Sequence, residues 1–159
     1  MSNELSSSAR KVQAALEVYG LSCHVVEMQE TTRTAMDAAQ AVGCQVGQIV
    51  KSLVFKGKKT QKPILVVASG ANRVNTKKLG KIVSESLKMA DPDFVREKTG
   101  FAIGGVPPLG HTHPLETFVD EDLMEYEEIW AAAGTPHALF KLTPDDLKNV
   151  TKGKVISVK

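Results

Sequence analysis

One lysine lies inside an otherwise apolar run, where it can do chemistry that its neighbours cannot. Lys51 stands in the sequence IVKSLVF. The two-residue period of a β-strand places its side chain on the same face as Ile49, Leu53 and Phe55. An ammonium group held beside apolar side chains requires a partner or a ligand, so this placement is typical of a functional residue. The run also fits an edge-strand lysine that discourages aggregation or reaches water, and both interpretations stay open.

Closely spaced glycines form the second candidate, in the segment GGVPPLG from Gly104 to Gly110. Glycine lets backbone N–H groups approach a ligand without an intervening side chain. Such groups can stabilise a carbonyl oxygen that becomes negative when water attacks an ester. A tight turn stiffened by prolines has the same composition, so this segment also has two interpretations. It is neither a Walker nor a Rossmann loop, because GKS, GKT and GxGxxG are absent.

The other reactive side chains do not form a recognisable metal or nucleophile pattern. His111 and His113 make a His-x-His pair, but no third ligand follows at a usable spacing. Cys23 and Cys44 have no CxxC spacing and are expected to be reduced. The nucleophile motif GxSxG is absent as well. We therefore expect no metal and no cofactor.

Positive charge is concentrated in the middle of the chain. The net charge is only +2, yet residues 51–100 carry 12 basic and 4 acidic groups, whereas the segments on both sides are net acidic. A concentration of lysine and arginine can attract the phosphate backbone of a nucleic acid, although a solvated turn and a solvated helix face would carry the same charges. No aromatic residues interleave with them, which favours backbone contact to a structured RNA over base stacking. The candidate tRNA-binding residues are Lys56, Lys58, Lys59, Arg73, Lys77 and Lys78.

The elements that position these residues are predicted from periodicity and capping signals. Helices are expected over SSARKVQAALEVYG, from about Thr34 to Gly43, within NTKKLGKIVSESL, over DPDFVREKTG and after Thr143. Strands are expected in LSCHVVEM, in the hairpin formed by QIVKSLVF and KPILVVAS, in FAI, near 117–119, over 128–132, and in ALFKL and VISV. The predicted fold is a mixed α+β domain with a curved, largely antiparallel or mixed sheet, or a partly closed barrel, surrounded by helices.

Three segments taken together are more specific than any one of them. QIVKSLVF, VVASGANRVNTKKL and MADPDFVREKTGFAIGGVPPLGH follow one another in this order. In order and interval they resemble the YbaK/EbsC family of aminoacyl-tRNA deacylases, relatives of the editing insertion domain of bacterial prolyl-tRNA synthetase. The resemblance extends from the first helix to the last strand and implies a single editing domain over residues 1–159.

The resemblance implies roles by position. The essential lysine of the family matches Lys51, and the first glycine of its loop matches Gly104, which together with Gly105 would contribute backbone donors near the scissile carbonyl. Family members use no metal and no protein nucleophile; a water, often oriented by the terminal ribose hydroxyl, attacks the aminoacyl ester. The residues implied to bind the substrate are Ser52, Ala132, His137, Pro108 and Gly110.

The predicted function is that of a trans-editing hydrolase that removes a wrong amino acid from tRNA. Ala132 stands where some relatives have a serine facing the substrate, so the choice among cysteine, alanine, serine and threonine stays open. The expected partners are a misacylated tRNA end, such as that of Cys-tRNA(Pro), and prolyl-tRNA synthetase. The alternative is a non-catalytic module that binds aminoacyl-tRNA, a nucleotide or a protein. No leader or membrane-spanning run is evident, which predicts a cytoplasmic location.

Overall fold

The computed structural model describes residues 5–159, in which α-helices and strands alternate irregularly. The helices are α1 (Ser7–Val18), α2 (Ala35–Val42), α3 (Thr76–Val83), α4 (Pro92–Thr99) and α5 (Pro144–Thr151). The strands are β1 (Val25–Glu27), β2 (Ile49–Gly57), β3 (Pro63–Ser69), β4 (Leu87–Met89), β5 (Glu116–Asp120), β6 (Ile129–Ala132), β7 (Ala138–Leu142) and β8 (Lys154–Ile156). None of these helices has both the length and the apolar character that a membrane span requires.

Side-chain caps fix the ends of the helices that the sequence predicted. Thr34, Asp91 and Thr143 each accept a hydrogen bond from the backbone N–H three residues further on, as N-cap residues do. Helices α2 and α4 end at Gly43 and Gly100, whose φ angles of +74° and +83° favour glycine. These boundaries confirm the predictions made from the capping residues.

The strands form one mixed sheet in the order β1-β7-β6-β2-β3-β5-β8, with β4 paired to β2 outside this path. Strand β2 is antiparallel to β3 and β4 and parallel to β6, while β3 and β5 are parallel. The mixed sheet is thus confirmed, and it does not close, since β1 and β8 remain at its two ends.

One edge of β2 is shared by two short strands and is left uncovered between them. Strand β6 pairs with Ile49 and Val50, and β4 pairs with the far end from Phe55 to Gly57. In the described part of the chain, residues 51–54 therefore have no strand partner on this edge. The sheet is split there, and the gap between β4 and β6 exposes residues 51–54 of β2 at this edge.

The two faces of β2 are covered by different helices. Val50 and Val54 belong to the main core, which α1, α4 and α5 cover. Leu53 and Phe55 pack on the opposite face in a second cluster that includes Leu79 of α3. The alternation predicted for β2 is therefore observed, and Lys51 lies on the face of Leu53 and Phe55.

One local prediction was wrong, and one strand was missed. FAI is not a strand: Phe101 is buried in the main core, and its backbone N–H donates to the hydroxyl of Thr99 rather than to a neighbouring strand. Strand β4 was not predicted, and only its first residue, Leu87, lies in the region that was expected to be a broken helix. The chain instead leaves α3 at Ser84, whose φ is +66°, and pairs Leu87 with Gly57.

Candidate functional site

A cavity of about 350 Å³ lies at the split in the sheet. Its floor is the uncovered stretch of β2, and its walls come from the start of α2, from β4 and from the glycine-rich segment after Phe101. The lining is mostly apolar. The residues that line it are Thr32, Arg33, Thr34, Ala35, Ala38, Ile49, Val50, Lys51, Ser52, Leu53, Val54, Met89, Ala90, Val95, Ile103, Gly104, Val106, Ala132 and Leu139.

Lys51 and Ser52 both line this cavity from opposite faces of β2. Lys51 is half-buried and also lines an adjoining hollow of about 340 Å³, which Arg73 borders. The Ser52 hydroxyl is buried and has no hydrogen-bond partner within residues 5–159. A buried, unsatisfied hydroxyl costs on the order of 1–3 kcal/mol, which is typical of a group kept for a ligand.

The backbone of Ser52 faces the same cavity. At the uncovered edge the Val54 carbonyl accepts a hydrogen bond of 3.1 Å from the Ala90 N–H. Backbone groups of alternate residues in a strand point to the same edge, so the N–H and C=O of Ser52 point there too. Neither β4 nor β6 reaches this position. The cavity floor thus offers main-chain hydrogen-bonding groups.

The glycine-rich segment approaches the cavity through Gly104. Gly104 lines the cavity with φ at +95°, a backbone conformation that favours glycine. Gly105 packs away from it: its N–H donates to the Ala102 carbonyl at 3.1 Å, and its carbonyl accepts from Gly134 at 2.8 Å. A Cβ at Gly105 would lie 2.7 Å from the backbone nitrogen of Thr135. Gly105 therefore allows the two loops to touch.

Three loop segments are bonded together around the cavity mouth. The Pro136 carbonyl accepts hydrogen bonds from both the N–H and the hydroxyl of Thr32, at 2.6 and 3.0 Å. The His137 Nδ1 lies 3.0 Å from the Glu30 carbonyl. With the bond between Gly134 and Gly105, these contacts join residues 30–34, 104–105 and 134–137 into one assembly.

Arg33 is a component of the site that sequence reasoning missed. Its side chain lies against Gly104, with Cγ and Nε each 3.3 Å from the position that a Cβ at Gly104 would take. It is exposed and has no carboxylate partner within residues 5–159. No motif singles it out; the only signal in the sequence is a lone arginine immediately before the Thr34 cap.

The other predicted substrate-binding residues are distributed over two places. Ala132 lines the cavity. His137 is exposed and does not line it, but it holds the segment that contains Arg33. Pro108 and Gly110 border a different hollow, together with His111. Burial lowers the pKa of His111, whose Nε2 lies 2.7 Å from the Pro107 carbonyl.

The predicted tRNA-binding residues are distributed over strand β2, the β2–β3 turn, and α3 with the segment that leads into it. Lys56 sits over the ring of Phe94 in α4, with its Nζ 4.6 Å from the ring centroid. Lys58 and Lys59 occupy the β2–β3 turn, where the Glu85 carboxylate accepts from the backbone of Lys59. Arg73 borders the hollow next to Lys51, and Lys77 and Lys78 follow on α3, which covers the second face. Of these residues, only Arg73 borders the same hollow as Lys51.

Comparison with known proteins identifies relatives over most of the chain. The model of the aminoacyl-tRNA editing domain matches residues 29–150. YwhH of Bacillus subtilis is 34% identical over 131 residues, which cover 82% of this chain and 83% of that protein. EbsC of Enterococcus faecalis, whose name assigns it as a Cys-tRNA(Pro)/Cys-tRNA(Cys) deacylase, is 28% identical over 79% of this chain and 76% of its own length.

A solved structure extends the similarity to nearly the full chain. Its description assigns it as a trans-editing enzyme for prolyl tRNA synthetase. It is 54% identical, superposes with a TM-score of 0.93, and covers 98% of this chain and 99% of its own.

Proposed function

Because the chain belongs to the aminoacyl-tRNA editing domain family, we propose that it is a trans-editing hydrolase that cleaves the ester between a wrong, small amino acid and the tRNA 3′ end. The observation that carries this proposal is that Lys51 and Gly104, 53 positions apart in the sequence, line one cavity. A lysine and a backbone donor at one concave site are what an acyl ester needs for binding and for charge stabilisation. The editing domain would extend over the whole chain.

The chemistry proceeds by attack of a water molecule on the ester carbonyl. The water oxygen bonds to the carbonyl carbon, and the Gly104 N–H, for which residues 5–159 offer no hydrogen-bond partner, stabilises the oxygen that becomes negative. The ester C–O bond then breaks, one proton of the water passes to the ribose oxygen, which regains its hydroxyl, and the other passes to solvent, so that the amino acid leaves as a carboxylate. Lys51 holds the phosphate or ribose of the terminal adenosine. Positioning and electrostatics supply most of the rate.

The reaction needs no resident metal. The residues that line the cavity include no His, Cys, Asp or Glu, so this wall offers none of the side chains that bind Zn²⁺.

Gly105 contributes by packing the loop against Gly134, which leaves carbonyl stabilisation to Gly104. The chain acts in the cytoplasm, where aminoacyl-tRNA is made.

The substrate is an amino acid with a small side chain. Ala38 and Ala132 leave space in the wall, and Ile49 and Leu139 limit its size. Ser52, with an unsatisfied hydroxyl, lies where a polar side-chain atom could be recognised. Pockets of this kind discriminate by volume and by a few polar contacts, which favours cysteine, serine, alanine or threonine over larger residues. EbsC carries a name that specifies Cys-tRNA.

A panel of misacylated tRNAs tests the proposed function. We expect hydrolysis of at least one small aminoacyl ester on tRNA(Pro) well above the rate without protein, and none of correctly charged Pro-tRNA(Pro). Each tRNA is assayed with and without prolyl-tRNA synthetase, because the synthetase is the proposed partner. Tight binding of the panel without hydrolysis of any member would favour the non-catalytic module instead.

Arg73, which borders the hollow next to Lys51, and the lysines at the start of α3 should make tRNA binding salt-dependent. We expect the affinity to fall as ionic strength rises, because cations that bind phosphates release counterions. The double variant Arg73→Ala/Lys77→Ala should weaken this dependence, by about one unit of the log–log slope for each phosphate that is no longer neutralised. Lys148→Ala/Lys152→Ala, in the acidic final third, is the matched control. An unchanged slope in the first variant would remove this cluster from the tRNA path.

A further inference from the structure

Arg33 occupies a prepared position at the cavity mouth. Its backbone N–H donates to the Thr31 hydroxyl at 3.2 Å, and the next residue, Thr34, caps α2. The preceding residue, Thr32, is buried and bonded twice to Pro136. Arg33 therefore extends from a fixed stretch of backbone, so that placing its side chain costs little backbone entropy.

The side chain of Arg33 lies along the surface that Gly104 leaves open. With its Cγ and Nε 3.3 Å from the position of a Cβ at Gly104, the arginine would have to shift by a few tenths of an ångström to make room for a larger residue there. The φ of +95° favours glycine at this position, and the absence of a side chain also lets Arg33 pack closely against it. The guanidinium is set beside the backbone group to which we assign carbonyl stabilisation.

The charge of the cavity wall indicates what Arg33 binds. Among the lining residues, Arg33 and Lys51 are positive and none is negative. No carboxylate within residues 5–159 forms an ion pair with Arg33. Two cations without counter-charges favour an anionic ligand, and a planar guanidinium is suited to phosphate oxygens. The anions of a tRNA are its phosphates.

We propose that Arg33 is a substrate-positioning residue that binds the 5′ phosphate of the terminal nucleotide of tRNA at the cavity mouth. This inference rests on the proposed function and adds a second positively charged residue, beside Lys51, to the substrate-binding site. In an aminoacyl-tRNA the ribose separates this phosphate from the ester. The exposed Arg33 takes the phosphate at the mouth, and the half-buried Lys51 is left to hold the ribose. Arg33 then anchors the tRNA end at the mouth, while Lys51 and Gly104 act closer to the ester.

Binding of adenosine 5′-monophosphate tests this site without any hydrolysis. We expect the wild-type protein to bind this nucleotide more tightly than adenosine in an NMR titration. Arg33→Ala should lose about 10-fold in affinity for the nucleotide and little for adenosine. Arg33→Lys should fall in between, because an ammonium group lacks the fork geometry of the guanidinium. Arg10→Ala, at an exposed position on α1 that borders none of the three cavities described above, is the matched control.

Steady-state kinetics on the misacylated tRNA provide the second readout. For Arg33→Ala we expect KM to rise about 10-fold while kcat changes by less than about 3-fold, as for the loss of ground-state binding. Equal losses for the nucleotide and adenosine would indicate contact with the base, and would overturn the inference. Normal binding of the nucleotide by Arg33→Ala would also overturn the inference. The same holds if the only defect of this variant is weaker product inhibition by the released amino acid, because that would place Arg33 at the amino acid and not at the phosphate. If no tRNA is hydrolysed but the nucleotide preference still depends on Arg33, the anion site stands and the proposed function fails.

Discussion

Replacement of Lys51 by alanine is expected to lower the kcat/KM of deacylation by at least about 100-fold and to leave the fold intact. The Lys51 side chain lines the cavity and the adjoining hollow, and it forms no ion pair within residues 5–159. Its removal therefore breaks no structural ion pair, whereas the ester is deprived of a group that holds it beside Gly104. The measurement is hydrolysis of the preferred misacylated tRNA under single-turnover conditions.

One further variant separates the charge of Lys51 from its aliphatic stem, and a second serves as the control. Lys51→Met keeps most of the apolar contacts with the neighbouring side chains of β2, and we expect it to be as inactive as the alanine variant. Lys154→Ala removes an exposed strand lysine on β8 that borders none of the cavities, and should be fully active. Thermal unfolding of all three proteins should coincide with that of the wild type within a few degrees. Normal turnover by a folded Lys51→Ala protein would exclude Lys51 from the reaction.

The variant Gly105→Ala is expected to reduce both stability and activity. The new Cβ would lie 2.7 Å from the Thr135 nitrogen and 2.8 Å from the Gly134 carbonyl carbon, distances at which the backbone must move. The hydrogen bond between Gly134 and Gly105 would be strained or broken. Overpacking of this kind costs about 1–3 kcal/mol in the free energy of unfolding. Because Gly104 moves with its neighbour, the rate of deacylation should fall by about 10- to 100-fold.

Gly20→Ala controls for the loss of stability alone. Gly20 has a φ of +75° and no atoms within 4 Å of a new Cβ, so alanine there is strained without a clash. We expect it to lower the free energy of unfolding by about 1 kcal/mol and to leave the kinetics unchanged. Denaturant unfolding and deacylation are measured for both variants at a temperature at which both are folded. Wild-type kinetics for Gly105→Ala would show that the contact between the two loops does not position Gly104.

Local signals in the sequence were sufficient for most of the elements. The caps at Thr34, Asp91 and Thr143 marked the helix starts correctly, since a capping hydrogen bond spans only three residues. The wrong prediction, FAI, and the missed strand, β4, lie where a distant contact decides the conformation. Phe101 is turned into the main core, and Leu87 pairs with Gly57 thirty residues earlier. Propensity does not report such contacts.

The sequence alone determined that Lys51 lies on a strand and that the segment from Gly104 could approach a ligand through its backbone. It also determined the family, because three motifs in fixed order are more specific than any one. Only the tertiary structure decided that the sheet splits at residues 51–54, that Lys51 and Gly104 line the resulting cavity, and that Gly105 packs outward. It also placed Arg33 against Gly104. The reason is physical: a strand period or a cap depends on neighbours in sequence, whereas a cavity depends on which edges of a sheet stay unpaired.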